Sequence, residues 1–338
     1  MVTPGSTQQI VSVAQQLADN VLFPRALDTD AAETVPRDLL DLLADAGLYG
    51  LSGPTWAGGM DADFDTACEV FEALAGGCLT TTFVWAQHVG TVRAAAASES
   101  PHARDWVEPL CRGSCRSGLA LGGVLPGPPQ LRARRVDGGW LLTGSSPWTS
   151  GWGRIDVIHT SARDENDNVV WSLVDAQESP SLRVERLSLV ALNATATVCA
   201  DFDELFAADE RVTSIVPSEQ WSKPEPAVLR IHAAFALGVT GRCCSLLGPS
   251  PLDDELAECR VALDSATAET MPRARAMVSD LTLRASAVLM SVVGSRSLLL
   301  DAQAQRLARE ALFVSVYASR PPVRAALLER LGAGTPRT

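Results

Sequence analysis

Apolar residues recur at helical spacing through the first third of the chain. Between Gln8 and Leu22, the positions Ile10, Val11, Val13, Ala14, Leu17 and Val21 fall three or four apart, which predicts an amphipathic helix. Pro36 opens a second helix, with Leu39, Leu42, Leu43 and Ala46 on one stripe and Gly47 at its end. Asp63 to Ala75 reads as a third, closed by Gly76 and Gly77. Thr80 to Ala97 is a long apolar helix, and Pro101 to Arg112 a short amphipathic one.

The pattern then changes period. Pro126, Pro128 and Pro129 forbid helix. Runs with strand character follow: Leu131 to Val136, Trp140 to Thr143, Asp156 to Ala162, Val169 to Val174, Leu182 to Leu187 and Thr195 to Phe202. Asp137-Gly138-Gly139 and the segment from Asp164 to Asn168 supply turns between them. These runs predict an antiparallel β-domain.

Helical spacing returns from Pro226 to Leu247 and from Leu252 to Val293, where Pro272 must split the run in two. Gln303 to Tyr317 and Pro322 to Leu331 are shorter helices. Gly248-Pro249-Ser250-Pro251 is a hard break, so the helices on its two sides are expected to pair antiparallel. The fold class is therefore α+β in three parts: a helical bundle over 1–113, a β-domain over 114–221 and a second helical bundle over 222–338. The apolar stretches Ile231 to Leu247 and Leu281 to Leu300 exceed what one thin bundle covers. They predict self-association, or association with a homologue, through the C-terminal helices.

Composition narrows the function. Of the 338 residues 46% are hydrophobic and only 20% charged, which excludes disorder, and 28 Lys+Arg against 40 Asp+Glu, a net charge of −12, argue against a nucleic-acid partner. Lys223 is the only lysine. The eight cysteines show no C-x-x-C pair and no histidine at zinc-finger spacing, so no metal site is expected and the thiols read as reduced. No basic stretch precedes an apolar core at the N-terminus, and Arg284 and Arg296 interrupt the most apolar stretch. A cytoplasmic protein without a membrane span is the expectation.

Candidate chemistry centres on the run from Asp137 to Gly151, DGGWLLTGSSPWTSG. It resembles the β-domain signature of the acyl-CoA dehydrogenase superfamily, a G-aromatic-x-x-x-G strand followed by a Trp-x-Ser/Thr element. Arg306-Leu307-Ala308-Arg309-Glu310, with Ala311 to Leu331 after it, is similar to the last helices of that family. Ala233 to Gly238 is similar to the helix that opens its C-terminal bundle. The resemblance implies an FAD flavoprotein, a dimer or dimer of dimers, that removes a proton alpha to a thioester carbonyl and passes the beta hydride to flavin. It implies that Trp148 packs on the flavin, with Thr149 and Ser150 beside it, and that Leu121 and Gly122 run along the pyrimidine with their backbone groups. Taken alone, without the surrounding motif, Trp148 reads as a core residue of the β-domain.

Four departures accompany the resemblance. The family's base follows a tyrosine in the last helical region, and here Tyr317 is followed by Ala318. Another base position used in the family corresponds to Val228, and the nearest acid is Glu225. The family's T-E-P-x-x-G-S-D-like loop is replaced by Ala120-Leu121-Gly122-Gly123-Val124-Leu125-Pro126-Gly127. Its R-x-x-F-G loop, expected after Arg242, gives way to the Gly248 turn, which leaves Arg296 as a substitute cation for the pyrophosphate. Three functions fit these residues: desaturation of an acyl thioester carried by CoA or a carrier protein, a non-catalytic partner subunit, and a flavin-dependent monooxygenase. Buried core positions are the expected role of His232 and His88.

Overall fold

The computed structural model describes residues 7–125, 127–221 and 226–333. The N-terminal helices are α1 (Thr7–Leu17), running into a π-turn at Ala18–Leu22, α2 (Ala26–Ala31), α3 (Arg37–Asp45), α4 (Phe64–Gly77), α5 (Leu79–Ala97), α6 (Pro101–Arg104) and α7 (Val107–Cys111). Gly47 takes φ +76° just beyond α3, the left-handed stop expected of glycine there. Asp63 caps α4 by accepting the Thr66 N–H at 2.8 Å. The expected helix from Pro101 to Arg112 is in fact two, because the chain turns at Asp105 and Trp106.

Gly76 and Gly77 do not end α4; they are its last two residues. Their use is close approach. A Cβ on Gly77 would lie 2.8 Å from the Ala18 Cα, and one on Gly76 would lie 3.1 Å from the Gly238 carbonyl.

The middle of the chain forms β1 (Ser117–Ala120), β2 (Leu131–Val136), β3 (Gly139–Thr149), β4 (Val157–Arg163), β5 (Asn168–Asp175), β6 (Leu182–Arg186), β7 (Val198–Ala208) and β8 (Val212–Pro217). The sheet order is β6-β7-β3-β2-β4-β5-β8, with β1 also on β4. Most pairs are antiparallel, as expected. The exception is β1, which runs parallel to β4 from Ser117 opposite Val157 to Ala120 opposite Thr160. The β2–β3 hairpin lies between them in sequence, so the chain has room to return and enter β4 in the same direction. At a single position, Arg132 opposite Arg163, β2 also meets β4 in parallel.

The C-terminal helices are α8 (Pro226–Leu247), α9 (Pro251–Asp264), α10 (Met271–Val293), α11 (Gln303–Val316) and α12 (Pro321–Arg330). Pro272 sits in the first turn of α10, where its missing N–H costs nothing. Across the Gly248 turn α8 and α9 run antiparallel: Arg230, near the start of α8, pairs at 2.8 Å with Asp264, the last residue of α9. The acids at the start of α9 act as expected of a helix N-terminus, since Asp253 accepts the Ser250 N–H at 2.8 Å. Both α8 and α10 belong to stretches long and apolar enough to cross a membrane, yet 61% and 50% of those windows are buried within the protein.

One apolar core runs through both helical parts. It joins Leu40, Leu74, Leu79 and Trp85 of the first to Phe235, Leu281, Leu307 and Val314 of the last. A second core, including Leu131, Leu142, Ile158 and Phe202, lies inside the β-domain. All eight cysteines are free thiols, and six of them are buried.

Candidate functional site

The end of β3 departs from regular pairing with β7, with a register shift between Ser146 and Thr149. Within that irregularity Trp148 takes φ +66°, and the residue is 63% exposed. A left-handed backbone at a tryptophan is costly, so its surroundings must hold it there. The next residues supply the hold. The Ser150 hydroxyl lies 2.8 Å from that of Thr197, which lies 2.8 Å from that of Thr195, which donates to the Leu192 carbonyl at 2.7 Å. Gly151 donates its N–H to the Thr195 carbonyl at 2.7 Å and takes φ +94°. A Cβ there would meet Ile155 at 2.9 Å and Val84 of α5 at 3.3 Å. The Thr149 hydroxyl is buried without a partner among the described residues.

Leu121 and Gly122 follow β1. The Gly122 N–H donates to the Ser146 hydroxyl at 3.1 Å, and its carbonyl accepts from Gln130 at 2.9 Å. The Leu121 carbonyl accepts from Val124 at 3.0 Å. These three main-chain groups are thus engaged within the protein.

A second corner forms where α11 ends. Tyr317 stacks on Phe313 with ring centroids 5.3 Å apart and meets Phe83 edge-on at 4.9 Å. His232 of α8 lies at 5.0 Å, and its Nε2 is 3.4 Å from the Tyr317 hydroxyl. Burial pushes the Tyr317 phenol up to about 12, while Gln87 of α5 donates to the Phe83 carbonyl at 3.1 Å. Burial also lowers the His232 imidazole to about 3, and its Nδ1 has no partner among the described residues. Behind them Arg275, 2% exposed, donates to the Val314 carbonyl at 2.7 Å and to the Ser279 hydroxyl. Burial lowers this guanidinium to about 10. Beyond Tyr317 the chain turns through Ala318 at φ +50°. The corner therefore presents a neutral imidazole, a protonated phenol and a cation. Among the described residues no carboxylate is hydrogen-bonded to any of them.

Residues 5–114 match the model of the acyl-CoA dehydrogenase N-terminal domain. That match covers the first third of the chain, and the whole length follows the acyl-CoA dehydrogenase fold. It superposes on butyryl-CoA dehydrogenase from Megasphaera elsdenii with a TM-score of 0.78 and 14% identity, over 98% of this chain and 99% of the other. A glutaryl-CoA dehydrogenase from Mycobacterium smegmatis, in complex with FADH2, gives 0.76 and 16% over 99% and 97%. Among curated proteins, the 3-sulfinopropanoyl-CoA desulfinase of Paraburkholderia xenovorans (strain LB400) is 21% identical over 207 residues, 59% of this chain. That match spans about half of the relative's length, 53%.

Within this fold the remaining expected residues lie apart. Val228 is on the first turn of α8, 38% exposed, and carries no titratable group. Glu225 lies outside the described residues. Arg242 does not extend outward. It bonds Asp19 and the Gly76 carbonyl, with its guanidinium 4.3 Å from the Phe23 ring centroid. Arg296 lines a cleft of about 320 Å³ on the C-terminal bundle, a cleft with no β-domain residue in its wall. A groove of about 990 Å³ runs between α1, α4, α8 and α9. Its charged walls are mostly paired, as Asp19–Arg242, Glu72–Arg260 and Asp264–Arg230. Neither Trp148 nor Tyr317 lines it.

His88 is a core residue, as expected, and His159, for which the sequence carried no signal, is buried as well. His88 Nε2 donates to the Leu110 carbonyl at 2.9 Å and its Nδ1 accepts the Ser117 N–H at 3.0 Å, a neutral tautomer fixed at both ends. His159 meets the Thr213 hydroxyl at 2.9 Å. His232, expected as a satisfied core histidine, is instead only partly buried as a residue, and its Nδ1 has no partner among the described residues. Its helix reads as uniformly apolar, and only the fold brings Tyr317 against it across the bundle.

Proposed function

We propose that this chain is an acyl-CoA dehydrogenase-like flavoprotein that binds an acyl thioester on CoA or a carrier protein, with the flavin ring on the Trp148 element. The observation that carries this is the Trp148 corner. An exposed indole on a backbone held at positive φ, beside a buried hydroxyl without a partner, suits a flat amphipathic ring. FAD, when bound, supplies a hydride acceptor. Trp148 would cover one side of the ring. Thr149 and Ser150 would set the polar edge, with Ser150 oriented by Thr197. Leu121 and Gly122 would flank it. The pyrophosphate end fits less well, because Arg242 is already bound inside the protein.

Proton removal is the weak step. Ala318 and Val228 cannot accept a proton, and an imidazole held near 3 is a poor base at neutral pH. Glu225 is the one acid adjacent in sequence to the start of α8. Ala318 favours a second reading, a partner subunit that shapes a heteromer while a homologue carries the base. A flavin-dependent monooxygenase on the same fold, which needs no such acid, is the third. The protein is proposed to act in the cytoplasm as a homo-oligomer or as one half of such a heteromer.

The test is the visible spectrum of the purified protein with and without added FAD, followed by anaerobic titration with acyl-CoAs, 3-sulfinopropanoyl-CoA among them. Flavin absorbance that bleaches on substrate supports the enzyme. Failure to hold FAD supports the partner subunit. Oxygen uptake with externally reduced flavin supports the monooxygenase.

A further inference from the structure

Four left-handed positions fall within two short segments that touch. Trp148 and Gly151, at the end of β3, take φ +66° and +94°. Leu192 and Ala196 flank the 3-10 turn Asn193–Thr195 between β6 and β7, at φ +57° and +47°, and both are buried. Gly151 joins the segments by donating its N–H to the Thr195 carbonyl at 2.7 Å. Three of the four carry a side chain, so the backbone is strained at each, and such strain persists only where the surroundings fix it. The turn is tied from outside. Val35 donates its N–H to the Ala194 carbonyl at 2.8 Å, and Leu189 donates to the Asn193 side-chain oxygen at 3.0 Å. What this frame places is a pair of hydroxyls, Thr195 and Thr197, in line with Ser150.

The line has a direction. A carbonyl only accepts, so the Thr195 hydroxyl spends its one hydrogen on Leu192, at 2.7 Å. In its contact with Thr197 at 2.8 Å, Thr195 therefore accepts and Thr197 donates. Thr197 has then spent its own hydrogen. In its contact with Ser150, also at 2.8 Å, it accepts and Ser150 donates. Ser150 is left with lone pairs and no free hydrogen. Thr197 is the one hydrogen-bond partner of this hydroxyl among the described residues. The group two residues beyond the exposed Trp148 is thus an acceptor only.

A flavin ring reverses polarity at one edge atom. N5 accepts a hydrogen bond when the ring is oxidised and carries an N–H when it is reduced, and hydrogen bonds to ring nitrogens tune the cofactor. We propose that the Thr195–Thr197–Ser150 chain locks Ser150 as an acceptor, so that the Trp148 element favours a reduced ring over an oxidised one. The proposal rests on the flavin reading above. It adds Thr197 and Thr195 as positioning residues, which set the preference through Ser150.

Affinities of the full chain for FAD in its two redox states test it, with oxidised FAD titrated in air and reduced FAD anaerobically, both followed by tryptophan fluorescence. Thr197→Val keeps the side-chain shape and frees the Ser150 hydrogen to face an acceptor. It should tighten oxidised FAD and lower the ratio of oxidised to reduced Kd by about three- to tenfold, the worth of one neutral hydrogen bond. Tenfold corresponds to about 30 mV at two electrons. Thr195→Val releases Thr197 to donate and should move the ratio the same way by less. Thr197→Ser should match wild type. A merely structural role would shift both affinities together, and circular dichroism checks that each variant folds. A ratio that Thr197→Val leaves unchanged overturns the proposal, as does one that Thr197→Ser moves equally. A wild type that binds neither form overturns the flavin reading, and this proposal with it.

Discussion

Tyr317 and His232 face each other across the bundle, hydroxyl to Nε2 at 3.4 Å, one residue before the position where Ala318 turns the chain left-handed. Among the described residues no acid is hydrogen-bonded to either, and this sets the first expectation. Wild-type protein should bleach flavin slowly or not at all with acyl-CoAs. If FAD binds, Ala318→Glu should raise anaerobic bleaching, since a well-placed base contributes roughly 10²–10⁴-fold. Rapid bleaching by wild type would place the base elsewhere, and Glu225→Gln is then the variant that loses it.

The same residue allows a stability test independent of cofactor. Left-handed backbone costs a β-carbon-bearing residue about 1–2 kcal/mol. Ala318→Gly should therefore stabilise the fold by a sizeable part of that amount, offset by the added freedom of glycine in the unfolded chain. Urea denaturation reads the change.

Acid should destabilise this protein before its carboxylates titrate. Burial holds His88 at about 4 and His159 at about 3, against 6.5 for an ordinary imidazole. The unfolded chain therefore binds protons that the folded one refuses. The stability is full above pH 6.5 and is lost as pH falls from there towards the folded values. Each residue accounts for about 2 kcal/mol of loss at pH 5. Denaturant midpoints at pH 7 and pH 5 measure it, and His88→Gln should flatten the slope relative to wild type.

Arg306 and Glu310, one turn apart on α11, pair at 2.5 Å with side-chain exposures of 1% and 3%. One atom of each, Arg306 Nη2 and Glu310 Oε2, lacks a partner among the described residues. Glu310→Gln strands a buried cation and should cost about 3–5 kcal/mol, whereas the paired change Arg306→Met/Glu310→Leu should cost far less. Equilibrium unfolding of the three variants checks the order.

Gly238 admits no side chain, since a Cβ there would lie 2.3 Å from the Glu72 carbonyl of α4. Gly238→Ala should destabilise by about 1–3 kcal/mol through forced separation of the two helices. A lowered thermal midpoint with unchanged far-ultraviolet circular dichroism is the expected signature.

Much of the fold was legible because it is local. The run from Pro226 to Leu247 and that from Leu131 to Val136 have the same bounds as α8 and β2, each framed by proline, glycine or a change of period. What escaped depends on distant partners. Ser-Gly-Leu-Ala of β1 has no alternation, and only β4 makes it a strand. β8 likewise exists by pairing with β5. Gly76 and Gly77 read as a stop because their packing against Ala18 and Gly238 is invisible in one dimension. At the site, the motif around Trp148 was visible, but the hydroxyl chain from Ser150 through Thr197 joins residues far apart in sequence. The i,i+4 spacing of Arg306 and Glu310 was visible too, but not their burial.

The contact of Gly76 with Gly238, with Arg242 reaching the Gly76 carbonyl across 166 residues of chain, also bears on synthesis. A ribosome releases α4 long before it makes the helix that α4 must touch. Throughout that interval the β-domain can close on its own core, while the first helices wait with an open apolar flank. The nascent protein therefore needs shelter early rather than late, and a truncated message yields a chain whose best-formed part is its middle.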